Sequence, residues 1–539
     1  MVRRHALGAL LVPILWLAAA CAPVKDTPQP AASARPFEQP FWVEEYTANL
    51  EFPWEMAWLP DGRMLVTERK GKLKLIADGK VVAEIAGVPA VMAASPFDGL
   101  LDVKADPDFA TTHNVFLTYT TGSLTARVGV LYRARLEGDR LVDGKELFRT
   151  TPPAPTGGPN IMRMMFMPDG TLLLGIGCSG QPGSAMVQNL DSDIGKIVRL
   201  NRDGSVPAGN AFGGTGQVAR PEIWAGGFRS PSGLALDDEN RLWGVDIGPS
   251  GGDELNLVEP GKNYGWPLAT WGFDYSGRAM SDRQSAAGFV DPVVVWSPSL
   301  APSGLMVYRG AAFPAWKGDL FFGALVGMSI WRVRVVNGQA IHQERLLADF
   351  NERIRSVSTG PDGYIYASTD AARGRILRLR PGQPDAAQLA HVARPFALPA
   401  GTATGVGLGA VREQLTLHGV MLQEQSVADE SVPFDPARGK ALLAERCGTC
   451  HSYSDIAHGE IGPRLDGVMG RKSGTLPGYA YSAALSNDAT RVTWDHFTLV
   501  AFITNPLAYY PGTRMAAPPV SYEEAIQISK FLSNGKTPL

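Results

Sequence analysis

The chain has 539 residues and a formal net charge of −3. It is too long for one compact domain and lacks the basic excess that nucleic-acid binding requires. Its 60 glycines and 41 prolines favour many turns and short strands, and after residue 20 no apolar run is long enough to cross a bilayer.

At the N-terminus, Arg3 and Arg4 precede an apolar run from Ala6 to Ala20, and Cys21 follows. About fifteen residues suits a signal-peptide core and falls short of the roughly twenty that a spanning helix needs. The stretch WLAAACAP resembles a lipoprotein processing site, with Ala18 where leucine is usual and Leu17 one position further back. Residues 1–21 therefore read as a signal peptide ending in a lipidated Cys21, with plain secretion as the alternative. Residues 22–39 form a Pro/Ala-rich tether. The expected location is periplasmic, with membrane attachment through the lipid anchor only. Of the four cysteines, Cys447 and Cys450 belong to one motif and Cys178 stands alone, so no intramolecular disulfide is expected.

From 40 to 381 one unit recurs: a turn, an alternating apolar strand, then a strand ending in alternating basic and apolar residues. The turns include LPDGRMLVTE at 59, MPDGTLLLGIG at 167, LDDENRLWGVD at 236 and GPDGYIYAST at 360. The answering strands include GKLKLI at 71, GVLYRARL at 129, GKIVRL at 195 and GRILRL at 374. Six such β-meanders without helical periodicity predict a six-bladed β-propeller, and a two-sheet sandwich explains the repeated signature less well. A propeller collects its functional residues from loops far apart in sequence.

Residues 382–432 lose the repeat and read as a linker with a short segment around REQLTLHGVML. From 433 to 539 the composition becomes helical and predicts a small all-α domain, with Asp435 and Ser521 as N-caps. Within it, Cys447-Gly-Thr-Cys450-His451 places two thiols to form thioethers with haem vinyls and a histidine to ligate iron. A redox dithiol or half of a zinc site is the alternative, but no second cysteine pair exists. The stretches GPRLDGVMGRKSGTLPGYAYSAAL, TWDHFTLVAFITNP and YYPGTRM resemble class I cytochrome c. That resemblance implies haem c with Met515 as second axial ligand, 64 residues after His451, and Met469 as the competing methionine. It also implies that Pro463 orients the ligating histidine and that Tyr481 and Trp494 contact a propionate.

The propeller region resembles the soluble glucose/sorbosone dehydrogenase family, which includes PQQ-dependent aldose sugar dehydrogenases. The resemblance is carried by EIWAGGFRSPSGLALD, DIGPSGGDELNLVEPGKNYGWPLATWGFDYSG, WSPSLAPSG and ERIRSVSTGPDG. PQQ is a planar ortho-quinone with three carboxylates, so its site needs cationic forks, a metal beside the quinone carbonyl and a base for the substrate hydroxyl. Arg353 and Arg355, two apart on a strand, face one side and suit a carboxylate grip. The resemblance implies cofactor contact by Arg229 and Ser299, and calcium bound through the backbone carbonyls of Gly248 and Pro249.

The departures from the family fall at catalytic positions. Pro159 stands where the family places its catalytic histidine, with Asn160 beside it. Phe97 replaces a glutamine, Val326 a cofactor-contacting lysine and Cys178 an acid. His113 in a turn and His342 in an outer strand match no family motif. Asp246 and Asp98 are the substitute candidates for a general base, and Cys178 reads as a small core cysteine. The expected function is an exported quinohaemoprotein dehydrogenase that oxidises a sugar or polyol through PQQ and calcium. Its electrons would pass to the fused haem and then to a periplasmic or respiratory acceptor. The alternative is a catalytically degenerate propeller that binds a ligand and positions an electron-transfer cytochrome.

Overall fold

The computed structural model describes residues 39–394, with breaks at 94–96, 124, 155–159, 179–185, 211–218 and 273–278. It also describes 434–533, with breaks at 449, 455–461, 487–492, 495–498, 501, 504–505, 507–512, 514, 516–519 and 521. The expectations for the leader, Cys21, the tether, Pro159, REQLTLHGVML and the Ser521 cap lie outside the described residues.

Six four-stranded antiparallel sheets form the blades of a propeller. Their inner strands are Pro53–Trp58, Leu100–Ala105, Asn160–Phe166, Pro231–Leu236, Pro302–Val307 and Ile354–Thr359, for blades 1 to 6 in order. Each inner strand packs against the next, and the sixth packs against the first. The Asp-Gly turns seen in the sequence lead out of these strands. In three of them the aspartate carboxylate caps an amide two residues on: Asp61 to Arg63, Asp169 to Thr171 and Asp362 to Tyr364, each at 3.0 Å. The fold departs from a simple run of six units in blade 6. Its outermost strand is Phe41–Leu50, which pairs with Gly374–Pro381 and so joins the two ends of the repeat. The chain also stays on blade 6 beyond 381. Val392 bridges Glu44 and the Ala393 amide donates to the Val43 carbonyl at 2.8 Å, so the first part of the expected 382–432 linker packs on the propeller.

All six inner strands break register with their neighbour near their beginning: between Pro53 and Met56, Leu100 and Val103, Asn160 and Met162, Pro231 and Gly233, Ser303 and Met306, and Ile354 and Ser356. Such bulges turn a residue and its carbonyl out of the ladder. Side chains from the preceding blade bond to groups at or beside these bulges. Thr67 donates to Leu101 O at 2.6 Å, Thr118 to Met162 O at 2.8 Å and Arg163 to Ser232 O at 3.2 Å. Ser232 donates to Pro302 O at 2.5 Å, Ser303 to Arg355 O at 2.7 Å and Ser356 to the Glu55 carboxylate at 2.9 Å. Each blade thus donates at least one side-chain hydrogen bond to the next, around a closed ring.

The C-terminal region has its own core, in which Leu442, Leu443, Cys447, Trp494, Phe502 and Ile526 are buried. Helix Pro436–Leu442 starts as its sequence predicts: Asp435 accepts from the amides of Ala437 and Arg438, with proline at the first helical position. A π-helical turn, Leu443–Cys447, continues it to the CGTCH segment. Helix Tyr522–Leu532 packs across the first helix where Gly439 leaves room for Phe531.

Candidate functional site

At the start of the blade 6 inner strand, Arg353 donates to Asp370 Oδ2 through Nε and Nη2, at 3.2 and 2.9 Å. Arg355 donates to the same oxygen at 2.9 Å. Arg69, from the end of the second strand of blade 1, adds a third guanidinium to the field at Asp370. These positive charges hold the buried Asp370 carboxyl well below the usual carboxylate range, against the opposing effect of its burial. Arg353 also reaches the Leu325 carbonyl at 3.2 Å, one residue before Val326, where the resemblance places a lysine. The pair foreseen from spacing is therefore a cluster of three arginines around one acid. Nothing in the sequence joins Asp370 and Arg69 to the pair, because neither is near it along the chain.

The GPSGGDE loop is held from below by Asp253. Its carboxylate accepts from the amides of Gly248, Leu300 and Ala301 at 2.8, 2.6 and 2.9 Å, and from the Ser299 hydroxyl at 2.9 Å. Ser299, expected beside a cofactor, thus directs its hydroxyl at Asp253. A Cβ on Gly248 would lie 2.1 Å from the Gly251 carbonyl, so the loop closes on itself only with glycine here. Arg229 donates through Nη1 to the carbonyls of Ile247 and Gly248, at 3.0 and 2.9 Å. The oxygen expected to bind calcium therefore already faces a cation. Three buried carboxyls crowd this loop. Burial pushes Asp246 up to about 6 and Asp253 to about 7; Glu254, with Asp246 and Asp253 as like-charged neighbours, reaches about 8.

The two substitute bases have structural partners. Asp246 accepts the amides of Arg229 and Ser230 at 2.8 and 2.5 Å, one on each carboxylate oxygen. Asp98, buried next to Phe97, pairs with Arg127 at 3.1 Å. Cys178 is fully buried in an apolar cluster, and burial pushes its thiol up to about 12, so it is no nucleophile. His113 caps a one-turn helix, and His342 is buried in the outermost strand of blade 5 beside Arg332 at 2.9 Å. Burial, reinforced by Arg332 and Arg334, takes the His342 imidazole down to about 3.

In the C-terminal region, His451 Nδ1 lies 2.7 Å from the Pro463 carbonyl. That contact fixes the ring and leaves Nε2 as its ligating nitrogen. Gly462 touches the ring so closely that a Cβ there would lie 2.4 Å from it. Met515, Met469, Tyr481 and Trp494 belong to the same apolar core. Two thiols, an oriented imidazole and a partly buried methionine thioether make a donor set that fits haem.

The family model for glucose/sorbosone dehydrogenase matches residues 50–378. The chain belongs to this family. The aldose sugar dehydrogenase of Escherichia coli is 40% identical over 348 residues, 63% of this chain and 92% of that protein. The apo-form crystal structure of the soluble aldose sugar dehydrogenase from Escherichia coli aligns with TM-score 0.60 at 37% identity, over 64% of this chain and all of that one. The PQQ-bound aldose sugar dehydrogenase of Streptomyces coelicolor aligns with TM-score 0.53 at 27% identity, again over 64% of this chain and all of that one. The remaining similarity lies in the C-terminal region: cytochrome c of Euglena viridis is 50% identical over 82 residues, 15% of this chain and 78% of that protein. The protein is a sugar dehydrogenase-family propeller with a cytochrome c domain.

Proposed function

We propose that this chain is an exported, lipid-anchored dehydrogenase that oxidises a sugar or polyol hydroxyl with PQQ and calcium and passes the electrons to its own c-type haem. The observation that carries the reading is the concentration of positive charge at Asp370, whose carboxylate is bonded by Arg353 and Arg355 and lies in the field of Arg69. Such a cluster suits a polycarboxylate ligand, and a relative of the same fold is PQQ-bound. The GPSGGDE loop suits a cation, since its Gly248 carbonyl already faces the Arg229 guanidinium.

When bound, PQQ supplies an ortho-quinone that accepts two electrons from a hydroxyl carbon. The chain's own part is to hold it. Arg353, Arg355 and Arg69 would hold its carboxylates, and the Gly248 and Pro249 carbonyls would hold calcium. In the cytochrome domain Cys447 and Cys450 supply thioethers, His451 and Met515 the iron ligands, and the His/Met pair raises the potential so that single electrons are accepted. In this reading the family's base position is occupied by Pro159. Loss of a base costs roughly 10²–10⁴ in rate, so turnover is slow.

The test is to load purified protein with PQQ and calcium and follow haem reduction during a screen of aldoses and polyols. A second reading draws on the structural commitment of both Asp246 and Asp98: the propeller binds a sugar or a partner protein and only positions the cytochrome. Failure of PQQ to bind, with no reduction by any substrate, selects that reading.

A further inference from the structure

Arg163 lies in the inner strand of blade 3, is almost fully buried, and stacks its guanidinium 3.9 Å from the Trp54 ring. It pairs with Glu55 of blade 1 and donates to Ser232 O of blade 4. Through Nη2 it also reaches the Ser303 hydroxyl of blade 5 at 3.3 Å and the Arg355 carbonyl of blade 6 at 2.8 Å. It thus ties together five of the six blades across the ring, not only to its neighbour. Its contact with Arg355 falls at the bulge between Ile354 and Ser356, where the ladder skips Arg355. There the Arg355 carbonyl accepts from two donors, Arg163 and Ser303, the second at 2.7 Å.

A bulged residue has no ladder bonds to set its direction, so what holds its carbonyl fixes the adjoining peptide plane and constrains where its side chain can point. We propose that Arg163 is the positioning residue that aims Arg355 at Asp370 and so fixes the anion grip. It works as a fork: one guanidinium spans Glu55, Ser303 and the Arg355 carbonyl together, which the single ammonium of lysine does not. The inference rests on the assignment of Arg355 to the cofactor carboxylates, and it concerns orientation, not chemistry, because Arg163 is sealed between the blades.

Two measurements on the full-length holocytochrome test it. The first is calorimetric titration with PQQ in the presence of calcium, for wild type, Arg163→Lys, Arg163→Gln and Ser303→Ala. Arg163→Lys retains the Glu55 pair and most of the melting temperature, yet binds PQQ about tenfold more weakly or worse. Ser303→Ala weakens binding in the same direction by less. The second is hydrogen exchange at the amides of residues 354–357, which rises in the Arg163 variants and not in a Cys178→Ala control. PQQ affinity within twofold of wild type, or unchanged exchange at 354–357, in Arg163→Lys would overturn the proposal and leave Arg163 a packing element. If wild type itself fails to bind PQQ, the cofactor reading falls while the exchange measurement still decides whether Arg163 holds Arg355. If Arg163→Gln does not fold, Arg163→Lys and Ser303→Ala decide.

Discussion

Arg355 donates to Asp370 at 2.9 Å with both side chains buried, and that one carboxylate is shared with Arg353. Arg69 adds its charge to the field at the same carboxylate. Replacing Asp370 with Asn removes the compensating charge and should destabilise the propeller by about 3–5 kcal/mol, the range for breaking a buried pair. Polyvalent anions such as citrate, or PQQ itself, should then raise the melting temperature of the variant more than that of wild type. Because the folded carboxyl titrates below its unfolded value, its contribution is complete above roughly pH 4 and is lost only in stronger acid. Thermal unfolding across pH and anion concentration checks both points.

Glu254 gives the opposite sign. Its carboxyl is raised to about 8 by burial and by Asp246 and Asp253, so the folded state binds a proton that the unfolded state has released. Stability should fall as pH rises from about 4.5 to 8. Glu254→Gln should flatten that slope and be more stable than wild type at pH 8 by on the order of 1 kcal/mol or more. Calcium should stabilise wild type most at the alkaline end of this range. Melting curves between pH 5 and 9, with and without calcium, read out all three effects.

Cys178→Ala should cost about 1 kcal/mol or somewhat more, the scale of a small core truncation, and leave PQQ affinity within twofold. A large loss of affinity with intact folding would give the thiol a role at the site.

In the cytochrome domain, Met515→Ala should lower the haem reduction potential, whereas Met469→Ala should leave it near wild type. Gly462→Ala forces a methyl group against the His451 ring and should disturb axial ligation, visible as a changed low-spin spectrum. Spectroelectrochemistry of the three variants decides between the two methionines.

The blades were legible because turn chemistry is local: in three of them the aspartates at 61, 169 and 362 cap their own turns, and local signals survive in a single sequence. The ring that joins the blades was not. Thr67, Thr118, Ser232, Ser303 and Ser356 are single hydroxyls whose partners lie one blade away, and their meaning depends on bulges that the sequence does not announce. The site divides the same way. Arg353 and Arg355 stand out by their spacing, but Asp370 sits just past the end of the next strand and Arg69 comes from another blade. Ser299 was placed beside a cofactor by resemblance, while its hydroxyl holds the loop anchor Asp253. His451 and Pro463, twelve residues apart, meet as their motif implies.

A hydroxyl oxidised to a carbonyl releases two electrons, and the haem takes one at a time. The most direct measurement is therefore an anaerobic titration of protein loaded with PQQ and calcium, using a limiting amount of the best sugar from the screen and following reduced haem. The account requires two haems reduced per sugar oxidised, one in the molecule that oxidised the sugar and one reached by electron transfer between molecules, and none when either PQQ or the sugar is omitted. A haem that stays oxidised with every sugar and polyol, yet reduces fully with dithionite, would contradict it.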